Sequence, residues 1–153
     1  MKTIIVDDEI MAIKLVRNYL ERDKRVEIVG ECLDAGEALQ CVRERAVEAA
    51  FLDICIHGCM DGVELGKKLK ELNPQIVLIY TTGNAQYVDN AIDVEADFYL
   101  MKPLNAAELT FVVKKANELA LQRNKRIFAR TFGHFDLYID CLLYTSPSPR
   151  DCS

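Results

Sequence analysis

Five times within residues 1–122, a short apolar run gives way to a longer segment whose apolar side chains recur every three or four positions. The runs are KTIIV (2–6), VEIVGEC (26–32), AAFLDI (49–54), QIVLIYT (75–81) and ADFYLMK (96–102). Residues 9–22 set Ile10, Ile13, Val16 and Leu20 at helical spacing, widened by Leu15 and Tyr19, and residues 35–45 turn Ala38, Leu39 and Val42 inward. A helix over 63–72 stops at Asn73-Pro74, a short one covers 85–93, and a last one over 105–122 lines up Leu109, Val112, Ala116 and Leu119 behind a capping Asn105. Strands this apolar, separated each time by a helix, predict an α/β fold with a doubly wound five-stranded parallel sheet covered on both faces. The working rim of such a sheet lies beyond the carboxyl ends of its strands, where the strand order reverses.

Those ends carry Asp7 and Asp8, Asp53, Thr81 and Thr82, and Lys102. Carboxylates brought within a few ångströms of one another repel, and one takes a proton unless a cation sits among them. Mg²⁺ meets that need, because it is held by one or two carboxylates together with a phosphoryl oxygen. Lys102 supplies a compact charge for a phosphate oxygen, and Thr82 a hydroxyl. These are the parts for phosphoryl transfer onto an aspartate, in which positioning and electrostatics do most of the work. Singly, each residue has an ordinary role: Asp8 a helix cap, Asp53 or Lys102 a turn residue, Tyr99 a core aromatic. Their placement at successive strand ends makes the set specific.

IIVDDE (4–9), FLDI with MDGVEL (51–65), TTG (81–83) and ADFYLMKP (96–103) resemble the motifs of bacterial response-regulator receiver domains. The resemblance covers residues 1–122 and implies a flavodoxin-like (βα)5 fold. It implies that Asp53 is the phosphoacceptor, and that Asp7, Asp8, Asp53 and the backbone carbonyl of Ile54 hold Mg²⁺. Thr82 would be the switch hydroxyl, Lys102 the phosphate-contacting lysine and Tyr99 the switch aromatic, with the Lys102–Pro103 bond cis. The implied partner is a sensor histidine kinase. The implied response is a change in the face built by the helix at 85–93, the strand at 96–102 and the final helix, which would also serve a homodimer. Such a domain is a phosphoacceptor rather than an enzyme, limited to self-catalysed transfer and slow autodephosphorylation. Two features depart from the family pattern: His57 stands where a proline is usual, and Gly62 follows Asp53 by nine residues, one more than the commonest spacing.

Charge divides the chain. Residues 1–122 hold 14 Lys and Arg against 21 Asp and Glu, net −7, and residues 123–153 hold 5 against 3, net +2. An acidic receiver is a poor ligand for nucleic acid, so DNA contact is expected only through an output domain. Residues 123–140 read as a linker and then two short antiparallel strands, from the alternation of Phe128, Arg130 and Phe132 and of Phe135, Leu137 and Ile139. RTFGHFDLYID (130–140) resembles the opening strands of winged-helix DNA-binding domains, so the output domain is expected to be truncated. The following CLLYTSPSPRDCS back-translates into one reading frame of a transposase adapter used in sequencing libraries. Residues 141–153 are therefore expected to be adapter read-through into an incomplete gene, and disordered.

Without a signal peptide or an apolar run near the 18 or so residues that span a bilayer, the chain is expected to be cytoplasmic and its six cysteines free thiols. Cys55, His57 and Cys59 lack the second ligand pair of a structural zinc site. Two other functions compete: a stand-alone receiver acting as a phosphorylation-dependent interaction module, and a Mg²⁺-dependent phosphatase with an aspartyl nucleophile. The phosphatase would need D-x-D-x-[TV] after the first strand, which Asp7-Asp8-Glu9-Ile10 does not provide.

Overall fold

The computed structural model describes residues 1–58, 60–83 and 96–132, with side chains of the last helix described through Lys125. The elements run β1 (Lys2–Val6), α1 (Ile10–Leu20), β2 (Glu27–Cys32), α2 (Ala35–Glu44), β3 (Ala49–Asp53), α3 (Gly62–Leu72), β4 (Val77–Thr82), β5 (Phe98–Met101) and α4 (Ala106–Phe132). All neighbouring strands pair in parallel, in the order β2-β1-β3-β4-β5. The chain therefore winds outward from β1 to β2 and returns past β1 to β3, which is the flavodoxin-like reversal expected of the sequence.

Period-two alternation along the strands sorts the core into two layers. Ile4, Val6, Ala50, Leu52, Leu78 and Tyr80 pack on one face with Ala38 and Val42 of α2 and Leu65 and Leu69 of α3. Ile5, Ala49, Phe51, Val77 and Ile79 pack on the other with Ile13, Val16 and Leu20 of α1 and Leu109, Val112, Val113 and Ala116 of α4. Strands β3 and β4 are buried along their whole length, as near-continuous apolar runs in the centre of a parallel sheet should be.

Side chains fix the helix starts. Asp34 accepts from the Glu37 N–H while the Glu37 carboxylate accepts from the Leu33 N–H, and Asp61 accepts from the Glu64 N–H. Asn105 caps α4 as expected, accepting from the N–H groups of Ala107 and Glu108.

Two sequence expectations shift. Ile10 and Leu15 are exposed, so the inward stripe of α1 is the narrower Ile13, Val16 and Leu20. Helix α4 continues through Phe132, so residues 123–132 are helical where a linker and the first of two strands were expected. No glycine or proline occurs between Ala106 and Phe132, and the first breaker is Gly133. The helix expected over 85–93, Cys59, and everything beyond residue 132, including the strand of Phe135, Leu137 and Ile139 and the tail 141–153, lie outside the described residues. Among the described residues, no helix is long and apolar enough to cross a membrane.

Strand β4 meets α3 with almost no clearance. The Tyr80 ring is fully buried, and a Cβ added at Gly66 would stand 1.9 Å from its hydroxyl oxygen. That hydroxyl is buried and finds no hydrogen-bond partner among the described residues. Gly66→Ala is expected to lower the unfolding free energy by about 1–3 kcal/mol, the usual cost of overpacking. In a Tyr80→Phe background the loss should be smaller, because the colliding oxygen is gone. Urea denaturation of the four proteins checks this, and strictly additive losses would place the strain elsewhere.

Candidate functional site

The rim is built where β1, β3 and β5 end. After Val6 the Asp7 N–H still donates to the Cys32 carbonyl of β2 (3.1 Å), so the ladder holds Asp7 at the sheet edge. Its Oδ1 accepts from the Glu9 N–H (2.9 Å), a turn that leads into α1. Glu9 occupies the N-cap position with no side-chain capping bond, so Asp8 is not spent as a cap. Asp53 closes β3, and its Oδ1 accepts from the Cys55 N–H (3.1 Å). Lys102 follows β5, its N–H bonded to the Thr82 carbonyl (2.8 Å), and its bond to Pro103 is cis, as expected.

These elements bring the carboxylates of Asp7, Asp8 and Asp53 together, with ligand oxygens all within 4.8 Å of one another. Asp7 and Asp53 are only 4% and 7% exposed. Lys102 Nζ lies 2.9 Å from Asp7 Oδ2 and 3.6 Å from Asp53 Oδ2. Two unit charges at that spacing interact by about 5 kcal/mol at an effective dielectric near 20. One lysine therefore leaves three gathered carboxylates with a surplus of negative charge.

Ionisation follows from this arrangement. Burial pushes the Asp53 carboxyl above the usual carboxylate range, reinforced by the charges of Asp7 and Asp8 and opposed by the Cys55 N–H and Lys102. Burial also works against the charge on Lys102, but its hydrogen bond to Asp7 and the charges of Asp53 and Asp7 outweigh that and raise its pKa. Asp8 moves the other way, lowered chiefly by its hydrogen bond to the His57 side chain.

The remaining predicted residues are placed as follows. Thr82, fully buried, ends β4 opposite Met101 of β5. Tyr99 is half-buried on β5 and stacks on Tyr80, with ring centroids 6.0 Å apart. The Ile54 carbonyl accepts the Gly62 N–H (3.0 Å) at the start of α3, which engages one of its two lone pairs. Gly62 itself is held so close that an added Cβ would lie 2.2 Å from the Asp53 carbonyl oxygen, so α3 begins directly on the main chain of the β3 end.

One contact has no counterpart in the sequence reading. His57 donates its backbone N–H to Asp8 Oδ2 (3.1 Å), and its ring Nδ1 meets the same oxygen. The visible signal was its position, four residues after the strand-terminal Asp53 in a loop of the same rim. A hard, all-oxygen donor set with surplus negative charge fits Mg²⁺, and Asp7, Asp8 and Asp53 are the residues that would hold it.

A family model described as the response regulator receiver domain matches residues 3–114. The sensory transduction protein LytT of Bacillus cereus is 31% identical over 115 residues, 75% of this chain and 46% of that protein. The transcriptional regulatory protein YpdB of Escherichia coli is 30% identical over 115 residues, 75% of this chain and 47% of that protein. The chain thus spans about half the length of these curated relatives. Among solved structures, the REC domain of AraT, a response regulator from Geobacillus stearothermophilus, superposes with a TM-score of 0.73 at 32% identity, covering 80% of this chain and 97% of that one.

Because the Asp53 pKa is raised in the fold, its ionisation opposes folding, and wild-type stability falls as pH rises from the ordinary carboxylate range through the raised value. Asp53→Asn removes that penalty. The metal-free variant is expected to melt a few degrees higher than wild type near pH 7, with the gap closing below the ordinary carboxylate pKa. Thermal melts in chelator across that range measure it. A variant less stable at every pH would contradict the burial assignment.

Proposed function

The chain belongs to the response regulator receiver family of two-component systems, and from that premise we propose that Asp53 is its phosphoacceptor. The observation that carries this reading is a buried aspartate at a strand end, crowded by two more carboxylates and approached by Lys102. An Asp53 carboxylate oxygen attacks the phosphorus of a phosphohistidine on a sensor kinase. The new O–P bond forms as the P–N bond breaks, and the bonding pair leaves with the kinase imidazole. Bound Mg²⁺ supplies positive charge to the transferring phosphoryl group. Asp7 and Asp8 would hold the ion together with a main-chain carbonyl of the turn after Asp53, for which Ile54 is the candidate even though it also accepts the Gly62 N–H. Lys102 moves its proton-rich head from Asp7 toward the phosphoryl oxygens.

The Thr82 hydroxyl then donates to the phosphoryl group, and the half-buried Tyr99 follows. Shifting a two-state equilibrium from 1:99 to 99:1 takes about 5.5 kcal/mol, within reach of a few charge-assisted hydrogen bonds at roughly 1.5–3 kcal/mol each. The responding face includes β5 and α4, where Met101 and Phe111 stand exposed as apolar anchors for a homodimer. Transcriptional control belongs to the same proposal, supported by the name of the Escherichia coli relative. The net charge of −7 over residues 1–122 assigns any DNA contact to an output domain beyond them.

Incubation with acetyl phosphate and Mg²⁺, followed by intact-protein mass spectrometry, tests the acceptor. Wild type should gain one phosphoryl group, Asp53→Asn none, and Lys102→Ala should react at least about tenfold more slowly. Labelling of Asp53→Asn at the wild-type rate would refute the assignment. Sustained hydrolysis of a generic phosphate ester would instead indicate a phosphatase. Asp8→Asn is expected to weaken Mg²⁺ binding by about tenfold or more, read by calorimetry.

A further inference from the structure

We propose that Cys32 and Cys41 are a redox-active dithiol, a modification site at which a peroxide joins the end of β2 to α2 through a reversible disulfide. The inference goes beyond phosphoryl transfer and uses side chains that take no part in it.

Strand register brings the two residues together. Gly30 and Cys32 of β2 pair with Ile4 and Val6 of β1, whose side chains pack in the layer under α2 and α3. Residues opposite one another in register point to the same face, so positions 30 and 32 both look toward α2. On that helix Ala35, Ala38 and Val42 form the buried stripe, and Cys41 stands at its border, partly exposed. The Cys41 sulfur fills the space that a side chain at position 30 would need. A Cβ added to Gly30 would lie 2.5 Å from Cys41 Sγ, so the glycine is what seats the sulfur there. Cys32 is two residues further along the same face, and the two thiols are in hydrogen-bonding contact. Both are free thiols.

The pair opens to solvent on one side only. Cys32 is 2% exposed, and both cysteines line a cleft of about 350 Å³ between α2 and the edge strand. The charged groups around that cleft already have partners within the chain. Glu31 accepts a bidentate pair of bonds from Arg17, Glu37 accepts from the Leu33 N–H, and Arg45 donates to the Val29 carbonyl. With Glu31, Glu37 and Glu44 against Arg45, the lining is acidic overall, which favours a small uncharged oxidant over an anionic one. Hydrogen peroxide meets that description.

The more accessible Cys41 reacts first. Its sulfur, as the thiolate, attacks one peroxide oxygen; the S–O bond forms as the O–O bond breaks, and the departing hydroxide leaves as water with the thiol proton. The Cys32 sulfur then attacks the Cys41 sulfur, and the S–S bond forms as the S–O bond breaks. A second water carries away the Cys32 proton. Two thiols lose two electrons and one peroxide becomes two waters. The final S–S length of about 2.05 Å requires the sulfurs to close from contact. Cys41, with a glycine beneath it and solvent beside it, has room to turn.

The test treats the reduced full chain with a small excess of hydrogen peroxide, then alkylates and digests it with trypsin. Cleavage after Arg25 and Arg43 releases residues 26–43 as one peptide holding both cysteines. Mass spectrometry should find that peptide two hydrogens lighter and closed to alkylation, and a thiol reductant should restore two alkylated cysteines. In Cys32→Ala with dimedone present, the sulfenic acid at Cys41 has no resolving thiol, so its adduct should exceed the wild-type level at least about tenfold. Full alkylation of both cysteines after peroxide overturns the proposal. So does a persistent sulfenic or sulfinic acid at Cys41 beside an alkylated Cys32, a disulfide from either residue to another cysteine, or an equal dimedone adduct in both proteins. The wild-type peptide decides the question by itself if Cys32→Ala does not fold.

Discussion

Repulsion among three carboxylates at one edge of a parallel sheet is the constraint around which this molecule is arranged. Asp7, Asp8 and Asp53 come from two adjacent central strands whose following helices leave for opposite faces, so the strand order itself forces them together. Lys102, carried in by β5 from across β4, offsets part of the charge. The rest of the fold serves to hold this rim against its own electrostatics. Two apolar layers flank β3 and β4, which are buried along their length, and the ladder hydrogen bonds continue to the last residues before the acidic group. An acidic cluster on a looser scaffold would spread into water.

How much of this could be read in the sequence follows from which interactions are local. Strand and helix periods report burial directly, and in a parallel sheet every strand ends on the same rim, so Asp7, Asp8, Asp53 and Lys102 could be grouped without coordinates. Asn105 was legible as a cap because its partners lie two and three residues away. The Ile54 carbonyl was not, since its direction depends on Gly62 in another element. His57 could be noticed as a departure from the family pattern, yet its partner lies 49 residues earlier. The alternation of Phe128, Arg130 and Phe132 suggested a strand, but it spans too few residues to outweigh a helix that continues from α4 with no glycine or proline to stop it. Exposure of Ile10 reflects the place of α1 over the sheet, which periodicity alone does not fix.

Helix α3 joins the rim to the interior. At Gly62 it touches the main chain of Asp53 and Ile54, and one turn later at Gly66 it receives the Tyr80 ring. Neither position tolerates a Cβ without movement, so the helix is seated on the sheet at two points, against main chain at Gly62 and against the Tyr80 side chain at Gly66. A displacement at the end of β3 therefore meets α3 rigidly, through atoms that have no rotamers to absorb it. This gives the rim a short mechanical route into the packed face that also holds the aromatic pair.

That aromatic pair also gives the molecule its own optical signal. The chain has no tryptophan and six tyrosines, so its near-ultraviolet spectrum is a tyrosine spectrum. Tyr80 is locked in the interior with its hydroxyl unpartnered among the described residues, and Tyr99 lies over it at a 24° interplanar angle. Rings fixed in that relation couple their transitions, whereas freely turning tyrosines contribute little dichroism. Any rotation of Tyr99 away from Tyr80 would thus be visible in the near-ultraviolet circular dichroism of the unlabelled protein.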